Sequence, residues 1–333
     1  MDRNELLGRA VAPLLVWYGE NKRSMPWRGE RDFYKILVSE IMLQQTRVEA
    51  VREYYVRFLD KFPTAQVLAA APEDEVLKAW QGLGYYNRAR NLQRAAQEIV
   101  KNGVPKTYEE VRALSGVGDY TAGSLSSIAL GLPCPAVDGN VLRILTRLLA
   151  DGSNIDEVGV KARFAEELKK VYPKEASEFC QALMELGAIV CVPNGAPLCE
   201  KCPWQAFCSA HVRGEEFDFP VRSPKKERKI ERYKVLVLAC EGKYALVKRD
   251  KKGLLAGLWQ FPMKDETFDE SVFGKTVKRK EAKHIFSHIE WHMTGILIAA
   301  QEQFKEFVWA TAEEIKEKYA LPSAFKAFMG WVK

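Results

Sequence analysis

Two carboxylates and a group of cysteines in this chain stand in settings that ordinary surface residues do not need. Glu40 lies four and three positions after Ile36 and Leu37. On a helix predicted over Asp32 to Phe58, it projects onto the side marked by Ile36, Leu37, Ile41 and Leu43. A carboxyl group desolvated there rises in pKa toward that of a general acid, although a glutamate at the edge of such a stripe also reaches water. Asp138, in Asp138-Gly139-Asn140, introduces a helix over Val141 to Leu149. The positive helix end favours its ionised form, and a plain helix cap is the alternative. Gly116-Val117-Gly118 precedes a helical run from Asp119 and can aim backbone N–H groups at an anion, which in a basic chain is a phosphate; an ordinary turn has the same composition. The glycines do not fit a dinucleotide fingerprint, and no strand precedes them. Cys191, Cys199, Cys202 and Cys208 are separated by seven, two and five residues. One close pair between outliers is untypical of structural zinc, and four thiolates in a short loop also suit a [4Fe-4S] cube. Between Trp80 and Arg90, Gly82 and Gly84 form a turn presenting Leu83, Tyr85 and Tyr86, with Arg88 and Arg90 behind. Such a turn can wedge open a base stack or simply pack on a core.

The elements that must position these groups follow from length and patterning. A chain of 333 residues predicts two domains, and 50 Lys and Arg against 44 Asp and Glu give +6, a balance that suits a polyanionic partner. There is no secretory leader and no apolar run near twenty residues, so the expectation is a soluble intracellular protein. Residues 1–24 read as one amphipathic helix, broken by Met25-Pro26-Trp27-Arg28. Residues 211–233 are polar and charged and are expected to be a linker; a solvated tether and a DNA-tracking segment are both open. The following KVLVLACEGKYALVKRD alternates like a hairpin, and later strands with a helix over Thr311 to Tyr319 predict an α+β domain. His284, His288 and His292 recur at fours, but the alternation of Ile285, Ile289, Trp291 and Met293 predicts a strand, which spreads the histidines too far to share one metal. Cys134, Cys180 and Cys240 read as small core residues.

Several of these stretches carry a resemblance. LSGVGDYTAG followed by VDGN resembles the helix-hairpin-helix and catalytic aspartate of base-excision DNA glycosylases of the endonuclease III superfamily. SEIMLQQT, Ser39 to Thr46, is similar to the SEVMLQQT signature of MutY-type adenine DNA glycosylases, whose glutamate is the catalytic acid. The resemblance implies Glu40, Asp138, Tyr120 and Asn140 as catalytic residues. It also implies Trp27, Arg28 and Gln181 around an extruded adenine, Gln45 and Tyr85 as intercalating residues with Thr46 and Leu83 beside them, and Gly116, Val117 and Gly118 on a DNA phosphate. By the same token Cys191, Cys199, Cys202 and Cys208 hold a [4Fe-4S] cluster, with seven residues in the first gap where the family usually has six. Helix-hairpin-helix proteins often hold a structural cation, here expected near the Val117 carbonyl. Gly257 to Pro262 resembles the C-terminal domain of MutY-type enzymes, related to Nudix hydrolases, and Phe286-Ser287-His288 matches their turn that contacts 8-oxoguanine. The R-E-x-x-E-E core of a Nudix hydrolase is absent from residues 234–333, so recognition without hydrolysis is expected there.

The expected architecture is a mostly α helix-hairpin-helix glycosylase domain, residues 1–210, with an iron-sulfur loop at 191–208. A linker at 211–233 and a smaller α+β Nudix-like domain at 234–333 complete it. The expected activity is removal of adenine opposite 8-oxoguanine or G in double-stranded DNA. The protein would act as a monomer in the bacterial cytoplasm at the nucleoid, away from membranes, with contacts to replication or repair proteins through the linker. A bifunctional endonuclease III-like lyase needs a lysine two residues after Gly-Val-Gly, where this chain has Tyr120. A non-catalytic lesion-binding protein has no use for Glu40 and Asp138, and a nucleotide-pool hydrolase needs the absent Nudix core.

Overall fold

The computed structural model describes residues 2–224 and 227–333; Lys225 and Lys226, inside the expected linker, lie outside the described residues. Twelve helices come first: α1 (Arg3–Asn21), α2 (Phe33–Leu43), α3 (Val48–Lys61), α4 (Ala65–Ala70), α5 (Glu73–Ala79) and α6 (Asn87–Asn102). Next are α7 (Tyr108–Ala113), α8 (Asp119–Ile128), α9 (Gly139–Leu149), α10 (Val160–Val171), α11 (Ala176–Ile189) and α12 (Ser209–Arg213). Among the described residues no helix is long and apolar enough to cross a membrane.

The first compact unit runs to Ala69 and resumes over Asn91–Pro224. Its core forms where α1 lays Leu7, Leu14 and Tyr18 against Ile144, Leu145 and Leu148 of α9 and Phe179, Leu183 and Leu186 of α11. Each of these faces repeats at three and four residues, so burial of one stripe per helix fixes their mutual rotation. The single helix expected over Asp32 to Phe58 is two. Gln45 takes a left-handed conformation, φ 55°, and Thr46 N–H closes a turn on the Leu43 carbonyl at 3.3 Å. No proline or glycine marks that break; the Gln44 side chain instead donates to Thr121 Oγ1 at 3.1 Å, which turns α2 out of line with α3.

The second unit is a mixed sheet of β1 (Lys229–Cys240), β2 (Lys243–Lys248), β3 (Trp259–Gln260), β4 (Met263–Lys264), β5 (Gly274–Ile285), β6 (Ile289–Ala300) and β7 (Val308–Thr311), with α13 (Ala312–Glu317). The order is β3-β2-β1-β6-β5, with β4 on β1 and β7 on β2; β1 and β6 run parallel. Both faces are covered, which the period of two records. Val235 and Val237 enter one core with Trp291 and Met293, while Leu236 and Leu238 enter another with Ile296 and Ile298. Gly295 is required on the first face, since an added Cβ would stand 2.2 Å from the Phe328 ring.

The stretch expected as one strand around His288 is a hairpin: β5 ends at Ile285 and β6 begins at Ile289. The stretch expected as a linker is shorter and less free. Helix α12 occupies its start and β1 its end, and Val221 O accepts from Ile155 N at 3.0 Å while Phe219 O accepts from Arg147 Nε at 3.1 Å. Residues 70–90 also depart from the sequence boundaries, for they pack with the second unit. Lys78 Nζ donates to the carbonyls of Ile315 (3.3 Å) and Tyr319 (2.9 Å), Gln81 Nε2 to that of Leu321 (3.0 Å), and Arg90 Nη2 to that of Ala256 (2.8 Å).

Candidate active site

Glu40 and Asp138, 98 positions apart, open into one cavity of about 200 Å³ in the first unit. Trp27, Arg28, Thr46, Tyr120, Asn140 and Gln181 line the same cavity, so eight of the residues singled out in the sequence converge there. Glu40 comes from the last turn and a half of α2 and is 5% exposed; its Oε2 is sealed from solvent with no partner in hydrogen-bonding geometry. Burial pushes its pKa up to about 7, the Ser124 hydroxyl pulls it back, and the charge of Asp138 raises it further. A carboxyl group so placed carries its proton near neutral pH.

Asp138 sits in the opposite kind of environment. As the N-cap of α9 its Oδ1 accepts from the backbone of Asn140 (2.9 Å) and Val141 (2.8 Å), and its Oδ2 from the Asn140 side chain (2.9 Å). Three donors thus converge on this carboxylate at the start of the helix. Asn140 is itself held, because Arg143 Nη2 donates to its Oδ1 at 3.0 Å and to the Gly187 carbonyl at 2.8 Å. Gly187 lets α11 come this close; a Cβ there would stand 3.0 Å from Asn140 Cβ.

The remaining walls carry polar groups most of which have partners, although Arg28 Nε is buried without one. Tyr120 O–H donates to Met184 Sδ at 3.5 Å, and burial, then Glu40 and Asp138, push its pKa well up, so the phenol stays neutral. Glu185 was not singled out in the sequence, although a glutamate inside the apolar run LMELGAIV repeats the signal that marked Glu40. It is 3% exposed and accepts from Arg23 Nε (2.7 Å) and Arg28 Nη2 (3.0 Å). Burial raises its pKa, but Arg23 and Arg28 outweigh that and hold it below the usual carboxylate range. Arg28 also donates to the Tyr18 hydroxyl, which leaves a rigid cationic edge on the cavity.

Other residues singled out in the sequence lie elsewhere. Gln45 is exposed on the turn between α2 and α3. Gly116 has φ 78° and approaches Asn91 so closely that a Cβ would stand 2.5 Å from that side chain, while Gly118 caps α8 without a side chain. The Val117 carbonyl, near which a cation was expected, accepts from Arg112 Nη1 at 2.8 Å. In the second unit, Leu83 is not presented as a wedge. It is 6% exposed, turned inward between Gly82 and Gly84, both at positive φ. Tyr85 is the exposed residue of that turn, and its hydroxyl lies 2.8 Å from Ser287 Oγ. Ser287 and His288 are exposed at the β5–β6 turn, and Phe286 anchors it edge-on against Trp291 at 4.8 Å.

Cys191, Cys199, Cys202 and Cys208 surround one small pocket, each half-buried and none in a disulfide. Arg147, buried on α9, donates from Nη1 to Cys191 Sγ at 3.2 Å, and Arg143 Nε donates to the Cys191 carbonyl at 2.9 Å. Four thiols around one pocket fit a holder of a positively charged centre, and the Arg147 donor offsets the negative charge that thiolates would carry. His211 and Glu216 were missed because they fall in the polar stretch classed as linker; their ligand atoms and Cys199 Sγ lie within 4.8 Å of one another. Cys180 is buried, while Cys134 and Cys240 are half-buried.

The family model described as HhH-GPD superfamily base excision DNA repair protein matches residues 38–170, and one described as NUDIX domain matches residues 234–330. The chain is 32% identical over 403 residues to the adenine DNA glycosylase of Homo sapiens, covering 95% of this chain and 73% of that protein. It is 35% identical over 340 residues to the adenine DNA glycosylase of Arabidopsis thaliana, covering 89% of this chain and 54%, about half, of that protein. Among solved structures it is similar to a thermostable thymine-DNA glycosylase, with a TM-score of 0.57 and 28% identity, covering 63% of this chain and 98% of that one.

Proposed function

The chain belongs to the adenine DNA glycosylases of the HhH-GPD superfamily, and from that premise we propose that it excises adenine paired with 8-oxoguanine or G by acid-assisted hydrolysis of the N-glycosidic bond. Adenine is a poor leaving group until it is protonated. Glu40 gives its proton to N7, the C1′–N9 bond breaks, and the Asp138 carboxylate stabilises the oxocarbenium-like sugar until water adds. Tyr120 and Asn140 border the sugar, and Asn140 holds Asp138 in place. The base reaches the cavity only if it leaves the stack, and Trp27, Arg28 and Gln181 then surround it.

The observation that carries this reading is the pairing, across one cavity, of a buried carboxyl whose pKa is raised to about 7 with a carboxylate that accepts three hydrogen bonds. Tyr120, where a lyase would carry lysine, supports a monofunctional enzyme. We assign lesion recognition to the Phe286-Ser287-His288 turn with Tyr85, on the strength of their exposure and mutual contact. Cys191, Cys199, Cys202 and Cys208 would hold a [4Fe-4S] cluster, which when bound supplies a four-point cross-link to the loop. A DNA substrate argues for work at the nucleoid of the cytoplasm.

Single-turnover base release on duplexes with A opposite 8-oxoguanine, A opposite G, and T opposite 8-oxoguanine tests the assignment. Rapid release from the first, slower release from the second and none from the third is expected. Release of thymine, or no release of adenine, overturns it. Borohydride trapping as efficient as that of a lysine enzyme would overturn the monofunctional assignment.

A further inference from the structure

Helix α8 carries a serine that neither its cap nor the hairpin uses. Ser124 is fully buried, and its Oγ, like Glu40 Oε2, has no partner in hydrogen-bonding geometry. Two orphaned polar atoms in one wall are costly unless they serve each other or the reaction. Helix geometry brings them to the same place. Gln44 at the end of α2 is bonded to Thr121 at the start of α8. Glu40 lies one turn back from Gln44, Ser124 lies one turn on from Thr121, and the Ser124 hydroxyl stands within reach of the Glu40 carboxyl. Gly123 allows α8 its close approach to the segment before Asp138, because a Cβ there would stand 2.1 Å from the Pro135 carbonyl oxygen.

The other groups around Glu40 are already committed. Asp138, from the start of α9, accepts from Asn140 and Val141. Tyr120, on the same side of α8 as Ser124, donates to Met184, and Tyr55 of α3 packs against Trp27. Across the cavity, Arg28 is paired with Glu185. Cys180 of α11 is a buried thiol whose pKa burial pushes up to about 12; the Tyr172 and Ser124 hydroxyls pull it back, so Ser124 faces this neutral thiol as well as the Glu40 carboxyl.

We propose that Ser124 is a positioning residue for the acid: its hydroxyl donates to the inward oxygen of the Glu40 carboxyl. The acid's proton is thereby held on the oxygen that faces the cavity. Once that proton has passed to the base, the same hydroxyl remains as a fixed donor to the carboxylate left behind. The direction of the pKa effect agrees, since a donor to the charged form lowers the pKa that burial has raised. Ser124 serves catalysis only if the adenine-release reading holds, and the experiment separates the two.

The full chain and its Ser124→Ala variant are compared in single-turnover adenine release across the neutral pH range. Infrared titration of the Glu40 carboxyl, identified by difference against Glu40→Gln, is run beside it. Loss of the donor is expected to move the limb on which activity falls with rising pH upward by about one pH unit, with the carboxyl band titrating in step. A limb and a band that stay where they are in Ser124→Ala overturn the role of Ser124 while leaving adenine release standing. A wild-type chain that releases no adenine overturns the reading of the site, and the infrared titration alone then decides the hydrogen bond. Should Ser124→Ala not fold, Ser124→Cys, of similar shape with a weak donor, is read in the same way.

Discussion

At the scale of single residues, the property that makes Glu40 an acid also costs stability. Its folded pKa of about 7 lies above the ordinary 4.5, so the native state binds this proton more tightly than the unfolded chain. That contribution is complete below the unfolded value and is lost as pH rises through the folded one, a loss of about 3 kcal/mol. Glu40→Gln keeps the shape and removes the titration. Adenine release should fall at least about 100-fold at neutral pH, while the Tm of the variant should exceed that of wild type at about pH 8 and lose this advantage at about pH 5. Calorimetry at the two pH values checks it, and a Tm difference independent of pH would refute the buried-acid assignment. Asp138→Asn makes the complementary case. Asparagine caps a helix about as well as aspartate, so stability should change by less than about 1 kcal/mol while base release drops at least about 100-fold. Base release that stays near the wild-type rate in this variant would mean that Asp138 is chiefly a cap. These two residues were legible because each announces itself locally, one by its place on an apolar stripe and the other by its place before a helix. Glu185 carried the first of those signals, but its partners Arg23 and Arg28 are more than 150 positions away and nothing near it names them.

At the scale of elements, the stripes that build α1 and α9 could be read from spacing, whereas the end of α2 could not. Its stop is set by Gln44 reaching α8, a contact 77 positions distant that leaves no composition mark at Gln44-Gln45-Thr46. The hairpin after Ile285 was hidden for a related reason. Ile285 and Ile289 keep one parity on either side of Phe286-Ser287-His288, so period alone cannot separate a strand from two strands and a three-residue turn. The closest helix contact in the catalytic wall is also invisible to pattern, since Gly123 reads as one small residue in a helix. Because the Pro135 carbonyl occupies the place of its missing Cβ, Gly123→Ala must push the segment leading to Asp138 away from α8. Destabilisation of about 1–3 kcal/mol is expected, together with loss of adenine release even where the variant remains folded. Thermal denaturation and single-turnover assays together check this, and a variant with wild-type Tm and rate would show that the segment yields freely.

At the scale of the whole molecule, residues 70–90 belong to the unit formed mainly by the C-terminal third, which sequence order conceals. The assignment rests on backbone carbonyls that are ordinary acceptors until the fold brings Lys78, Gln81 and Arg90 to them. Lys78 shows what this costs, for burial lowers its pKa to about 8, and the carbonyls of Ile315 and Tyr319 take its Nζ as compensation. A chain ending at Pro224 retains residues 70–90 but removes those carbonyls, the Lys248 partner of Asp74 and the Ser287 partner of Tyr85. Local stability follows buried contacts and satisfied hydrogen bonds, so this segment should open while the core of α1, α9 and α11 stays closed. Limited trypsin digestion should then nick the shortened chain first at Lys78, Arg88 or Arg90, positions that resist in the full chain, with mass spectrometry locating the cuts. Lacking the Phe286-Ser287-His288 turn as well, the shortened chain should release adenine opposite G and opposite 8-oxoguanine at rates within about tenfold of each other, a gap of about 1.4 kcal/mol. A shortened chain that resists trypsin at these positions would mean that residues 70–90 are held by the first unit after all, and one that keeps its preference for the lesion would move recognition out of the β5–β6 turn.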